Sequence, residues 1–284
     1  MASESDAFVV DDGLICPEVG AWAKTKHHLV SFYAELFSSG MKHKWDRRVY
    51  VELYAGAGHS RIRNSSKLIL GSPLLALTVK DPFDKYVFCE EDPEKLEALK
   101  LRSGRISPNA DIAYVRGDCN KSANEILSHI PRGSTENKVL TLCFADPFDI
   151  SLRFETIRAL AADRLIDFLI LLALGMDANR NYEHYIKEDA QKIDGFLGSE
   201  DWRDRWITAQ WDAVKFTRFL AEEFADSMAI LNYIPPAYYT MKEVRSHEKN
   251  LPLYRLALFS RNERAYKFWD QVLKYSTDQR TLFD

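Results

Sequence analysis

The chain has 284 residues, 46% apolar and 28% charged, with 38 Lys and Arg against 42 Asp and Glu for a net charge of -4. That length suits one large α/β core, and the acidic balance excludes binding to nucleic acid by overall charge, leaving only a local basic surface for it. No apolar run approaches the roughly 18 residues needed to cross a bilayer, and the acidic start MASESDAFVVDDGL lacks the basic-then-apolar grammar of a secretory signal. The four cysteines, Cys16, Cys89, Cys119 and Cys143, lie far apart without a CxxC pair. They fit a reducing cytoplasm, and no metal site is expected from them.

In chain order, an amphipathic helix is predicted over about 19–40, then a strand at RVYVELYA (48–55). Ser72 and Pro73 read as the cap and first turn of a helix over 72–80, and HSRIRNSSKLILG (59–71) intervenes as a loop. Strands follow at 86–90, 112–116, 139–146 and 167–174, alternating with helices at 93–102, 120–130 and 153–162. Asp92 and Pro93 make an N-cap pair for the first of these helices. Residues 175–210 read as an insertion, followed by a helix near 211–225. Its Trp202, Trp206 and Trp211 are expected to pack within it. Two last strands, near MAILNYI (228–234) and LYRLALFS (253–260), are joined by a long polar stretch and so form an antiparallel edge hairpin. The expected fold is α/β: a Rossmann-like class I methyltransferase plan with a seven-stranded, mostly parallel sheet. Residues 1–47 form an N-terminal arm and helix, and 48–284 one domain containing the insertion.

The strongest local signal is VELYAGAGHS, where a strand carrying Glu52 runs through Tyr54 into Gly56 and Gly58. Glycines let the backbone turn sharply and approach a ligand. Arg61 stands where a dinucleotide loop would have its third small residue. The acid inside the strand points instead to S-adenosylmethionine (SAM), whose ammonium needs a carboxylate. Glu90, ending the second strand, is placed to hold the ribose, although the intervening loop puts it farther from the glycines than the usual spacing of about 20 residues. Asp118, after the third strand, is placed to accept from the adenine amino group. The fourth strand ends in Asp146-Pro147-Phe148-Asp149. This is an incomplete match to the D/N-P-P-Y/F motif of amino-methyltransferases acting on bases, in which the first side chain accepts from the target amine and the aromatic ring stacks on the base. Lys24, Lys26, Lys42, Lys44, Arg47 and Arg48 make the N-terminal region locally basic. With Arg61 in the loop and Arg180 between two asparagines, they are candidates for the substrate side. A solvated helix face and a structural salt bridge are the alternatives.

These segments together resemble a known family. Trp22 and Lys24, ELYAGAG, GSPLLAL, FCEED, GDCN, ADPF, Asn179-Arg180-Asn181 and the C-terminal FWDQVLKYSTDQRTLF occur in the order seen in the three-Cys-motif partner proteins (TcmP), and the similarity spans almost the whole chain. Those proteins are similar to SAM-dependent methyltransferases and are named for a radical-SAM-like partner bearing three cysteines. The resemblance implies a nucleotide-type cofactor site at Glu52, Gly56, Gly58, Glu90 and Asp118 and a reaction centre at Asp146, Pro147 and Phe148. The leading expectation is N-methylation of a nucleobase amino group in RNA or DNA. The alternative is an accessory SAM-fold subunit that binds nucleic acid or docks the three-Cys-motif protein. A nuclease is disfavoured, because no lysine follows Asp146 and Asp149 at nuclease-like spacing.

Overall fold

A computed structural model describes residues 9–187, 190–212, 214–246 and 250–278. The chain opens with β1 (Glu18–Val19), α1 (Trp22–Met41), β2 (Arg47–Glu52), β3 (His59–Ile62), β4 (Leu68–Leu70) and α2 (Ser72–Leu77). It continues with β5 (Lys85–Glu90), α3 (Pro93–Ile106), β6 (Ile112–Arg116), α4 (Ala123–His129), β7 (Val139–Ala145), α5 (Phe154–Ala162) and β8 (Ile166–Leu172). A π-helical turn at Leu174–Ala178 leads to α6 (Tyr182–Tyr185), α7 (Lys192–Leu197), α8 (Trp202–Trp211) and α9 (Phe216–Ile230). The last elements are β9 (Lys242–Arg245), β10 (Pro252–Phe259) and α10 (Glu263–Asp278).

The large sheet has seven strands in the order β6-β5-β2-β7-β8-β10-β9. Neighbours from β6 to β8 run parallel, while β10 is antiparallel to both β8 and β9. This is the mostly parallel sheet with an antiparallel edge hairpin that the strand pattern predicts, the Rossmann-like class I methyltransferase architecture. The order reverses at β2: the chain builds outward through β5 and β6, then returns to lay β7 on the other side of β2. In open α/β sheets the crevice beyond the strand ends at such a reversal is where ligands bind.

Both faces of the sheet are covered, which explains the unbroken apolar strands. Val49, Val51 and Leu53 point into one core with Ile157, Phe168 and Phe224. Tyr50, at the alternate position, points into the other with Tyr33 and Phe37 of α1 and Trp269 of α10. Among the described residues no helix is long and apolar enough to cross a membrane.

Four local expectations are corrected. The MAILNYI run is not a strand: α9 continues through Ile230, and the edge position belongs to β9. Phe216, Phe219, Leu220, Phe224 and Met228 recur at helical spacing and are buried, whereas Ile230 is 81% exposed. Asn232, at φ 64, then turns the chain, and Tyr233 drops into the core to donate to the Ile166 carbonyl. The loop at 59–71 is a hairpin, β3 against β4, and β1 pairs parallel with β3 to complete a second, three-stranded sheet. Ser72 does not cap α2. Gly71 is the N-cap, and the Ser72 hydroxyl donates to Glu52 instead. Of the three insertion tryptophans, Trp202 and Trp206 are buried against Phe216, but Trp211 is 86% exposed. Asp92 does cap α3, accepting from the Glu94 and Lys95 amides.

Candidate functional site

The turn after β2 is shaped by two left-handed glycines, Gly56 at φ 66 and Gly58 at φ 81. They differ in what surrounds them. A Cβ on Gly58 would lie 3.0 Å from Leu74 and 3.1 Å from Leu99, so that position is sealed by α2 and α3. A Cβ on Gly56 would meet nothing within 4 Å, so its backbone faces open space. The amide of Gly56 donates to Glu90 Oε2 at 2.8 Å, and Glu90 Oε1 accepts from the Asp92 amide at 3.0 Å. Gly117 in turn donates its amide to the Glu90 carbonyl at 3.1 Å. Asp118, half-buried in the following turn, accepts from the Asn120 amide at 2.9 Å. Gly56, Gly58, Glu90 and Asp118 therefore stand at the carboxyl ends of three adjacent strands, joined by one hydrogen-bonded backbone.

Glu52 lies deeper. It is fully buried and accepts from the Tyr50 hydroxyl at 2.9 Å and from Ser72. Burial pushes its carboxyl up to about 8, outweighing both hydrogen bonds. It ties β2 to the start of α2 underneath the glycine turn. Tyr54 packs half-buried against the opposite core beside Cys119 and Ser151.

Asp146 ends β7 across the crevice from this turn and forms an ion pair with Lys26 of α1. Burial raises the Asp146 carboxyl while the Lys26 ammonium opposes that shift. Lys26 is itself buried, 5.2 Å from the centre of the Trp22 ring, which packs at 4.9 Å on Tyr254 of β10. After Pro147, Phe148 is 72% exposed and free to stack on an incoming group. Asp149 accepts from Lys192 at 2.7 Å, and the same ammonium reaches Asp177 at 3.1 Å. Asp177 also receives the Ile150 amide, the Tyr185 hydroxyl and Asn181. Beside this staple is a cavity of about 500 Å³ lined by Asp177, Asn181, His184, Tyr185, Ala190, Gln191 and Lys192.

The basic candidates do not form one face. Lys24 is exposed on α1, and Arg180 is exposed near Tyr254. Arg61 pairs with Asp11 at 2.8 Å. Lys42 binds Asp81, and buried Arg48 binds Asp84, so both hold structure together. Lys26 counted in the sequence only as part of a basic stretch. Its signal was position: it shares the buried stripe of α1 with Ala23, Val30, Tyr33 and Phe37, and a cation on an apolar stripe demands a buried partner. Tyr254, Lys192 and Asp177 carried no comparable signal.

No protein-family model and no curated protein matches the chain. Among solved structures it is similar to an O-methyltransferase from Bacillus cereus in complex with SAH, at 10% identity and TM-score 0.46, over 91% of this chain and 86% of that one. It is similar to magnesium protoporphyrin IX methyltransferase from Synechocystis PCC 6803 with bound SAH, at 8% identity and TM-score 0.42, over 84% and 85% of the two chains. A third is Trm1 from Pyrococcus horikoshii with S-adenosyl-L-methionine, at 9% identity and TM-score 0.43, over 88% of this chain but 58% of that one. Likenesses of this extent leave ligand and reaction to be argued from the chain's own residues.

Proposed function

We propose that this chain binds SAM at the β2–β5–β6 edge and transfers its methyl group to an amino group of a nucleobase in RNA or DNA. The observation that carries the reading is the juxtaposition at the sheet's reversal. The open backbone of Gly56, the Glu90 carboxylate hydrogen-bonded to it and the Asp118 turn line one side, and Asp146 with the exposed Phe148 ring lies on the other. The residues fit the group. Glu90 offers carboxylate oxygens to a ribose diol, Asp118 an acceptor for the adenine amine, and Gly56 room for a ligand where any other residue would place a side chain. SAM supplies an activated methyl, so the protein's task is positioning. Asp146 accepts from the target amine, Phe148 stacks on the base, and the exposed Lys24 and Arg180, with Arg61, are the basic groups offered to phosphates. Glu52, buried and held neutral around pH 7, supports the turn from below, and a direct contact with the methionine end requires it to leave Tyr50 or Ser72.

Calorimetry tests the cofactor half. Wild-type protein is expected to bind SAM and SAH in the micromolar range, and Gly58→Asp or Glu90→Ala to abolish the heat. A silent wild type sinks the reading.

One observation favours a second reading, an accessory subunit that binds SAM without transferring methyl groups: Asp146 is already neutralised by Lys26. The resemblance to the three-Cys-motif partner proteins, a radical-SAM-like partner and a cytoplasmic setting belong with either reading. Tritiated methyl transfer into bulk RNA, DNA or protein that is lost in Asp146→Asn supports the enzyme, while SAM binding without any acceptor supports the accessory role.

A further inference from the structure

A buried cation outside the residues discussed so far makes five hydrogen bonds to the N-terminal segment and the glycine turn. Arg102, on α3, is 2% exposed. Its guanidinium grips both oxygens of Asp12, at 2.9 Å and 2.6 Å, and donates to the carbonyls of Leu14 and Ile15. The same Nη1 donates at 2.6 Å to the carbonyl of Ala57, the residue between the two turn glycines. The segment it holds continues into β1, where the carbonyls of Pro17 and Val19 accept from the amides of Arg61 and Arg63. Those amides belong to the strand and turn that leave the glycine loop. One guanidinium thus fastens a strap, residues 11–19, and the loop to each other, while β1 clamps the loop's exit. Arg102 holds the Asp12 carboxyl down to about 2, so the pair stays charged throughout the neutral range.

We propose that the strap is a clamp on the nucleoside-binding loop and that Arg102 is its positioning residue, so that strap closure and binding of a sulfonium nucleoside or its thioether product favour each other. The inference rests on the cofactor reading above. Two sites linked through one element must act reciprocally: whatever factor strap opening costs in affinity, bound ligand must return as strap closure. Ala57 cannot shift without breaking its bond to Arg102, and Arg102 cannot shift without releasing Asp12.

The strap contains its own reporter. Cys16 is half-buried, whereas Cys89, Cys119 and Cys143 are buried, so a thiol reagent such as DTNB reads strap opening on the intact protein. In the wild type, saturating SAH is expected to slow Cys16 modification about fivefold or more. Asp12→Asn, and independently Arg102→Lys, are expected to speed the reaction without ligand and to weaken SAH binding by a similar factor, about tenfold. Asp163→Asn removes an exposed pair with Arg132 away from the strap and should leave both within about twofold. Two results overturn the proposal. One is a wild type that binds SAH by calorimetry yet shows no protection of Cys16, which needs no variant. The other is an Asp12→Asn or Arg102→Lys protein whose Cys16 reacts fast while SAH affinity is unchanged. A wild type that binds no SAH at all overturns the cofactor reading instead, and the clamp with it.

Discussion

The two sides of the crevice are held together by different forces. On the β2–β5–β6 side strand-to-strand hydrogen bonds and close packing set the turn, with the ion pair of Arg102 and Asp12 behind it: Gly56 bonds to Glu90, Gly117 to the Glu90 carbonyl, and Gly58 is fitted against Leu74 and Leu99. On the β7–β8 side the elements are held by ionic staples between distant parts of the chain, Lys26 to Asp146 and Lys192 to Asp149 and Asp177. Such a turn is preorganised, because hydrogen bonds between neighbouring strands fix its backbone. A staple-built site can be rearranged by whatever competes for its charges. The contrast matches the two roles proposed above, cofactor binding on one side and positioning of the acceptor amine on the other.

Breaking the largest staple is the severest test of this contrast. Lys26→Met leaves a buried carboxylate without its partner and should cost about 3–5 kcal/mol in chemical denaturation, with the double variant Lys26→Met, Asp146→Leu recovering much of it. If the single variant unfolds like wild type, the pair is not what fastens α1 to the end of β7.

Glu52 sharpens the comparison from the other side. Its carboxyl lies at about 8 in the folded chain against an ordinary 4.5, so the folded state holds a proton that the unfolded state releases. The stability this gives is complete below about pH 4.5 and is lost as pH rises through about 8. Glu52→Gln should remove that decline, gaining on wild type by on the order of 2 kcal/mol near neutral pH. Urea midpoints measured from pH 5 to 9 check it, and parallel slopes for the two proteins would show that Glu52 is ionised in the fold.

The smallest effect belongs to the half-exposed staple. Lys192→Met should cost only about 1 kcal/mol, since water screens Lys192 and Asp149 while buried Asp177 keeps the Ile150 amide, the Tyr185 hydroxyl and Asn181 as partners. Its consequence should be local: faster amide exchange in α6 and α7, with the glycine turn unchanged. Exchange that spreads to Gly56 would mean that the two sides of the crevice are mechanically one.

How much of this was legible depended on whether the signal was local. The β2, β5, β7 and β8 runs announce themselves because a strand covered on both faces is mostly apolar, and β6, at the edge, shows the shorter run IAYV. The acids at the strand ends follow from their neighbours in sequence, and Asp92-Pro93 is a cap wherever it occurs. MAILNYI misled because a short apolar run has no period of its own, and only Phe216, Phe219 and Phe224, upstream of it, show that the helix is still in progress. Ser72 looked like a cap because Ser-Pro usually is one, but a buried carboxylate twenty residues earlier competes for its hydroxyl. The Lys26–Asp146 and Arg102–Asp12 pairs join residues roughly a hundred positions apart. No spacing rule reaches that far, and the partner of a buried cation is named only by the fold.

The central place of β2 also bears on how the molecule is made. Its Arg47 to Glu52 pair with Val139 to Phe144 on one side, and α1 finds part of its cover only in α10, at the far end of the chain. Contacts between such remote segments slow folding, because a long loop must close before they reward it. On the ribosome, the three large-sheet strands β2, β5 and β6, with α1 to α4 already synthesised, would wait for β7 to emerge before the middle of the large sheet could close. Through that interval one edge of β2 stands unpaired, and it is during synthesis that the chain is most exposed to mispairing with another strand.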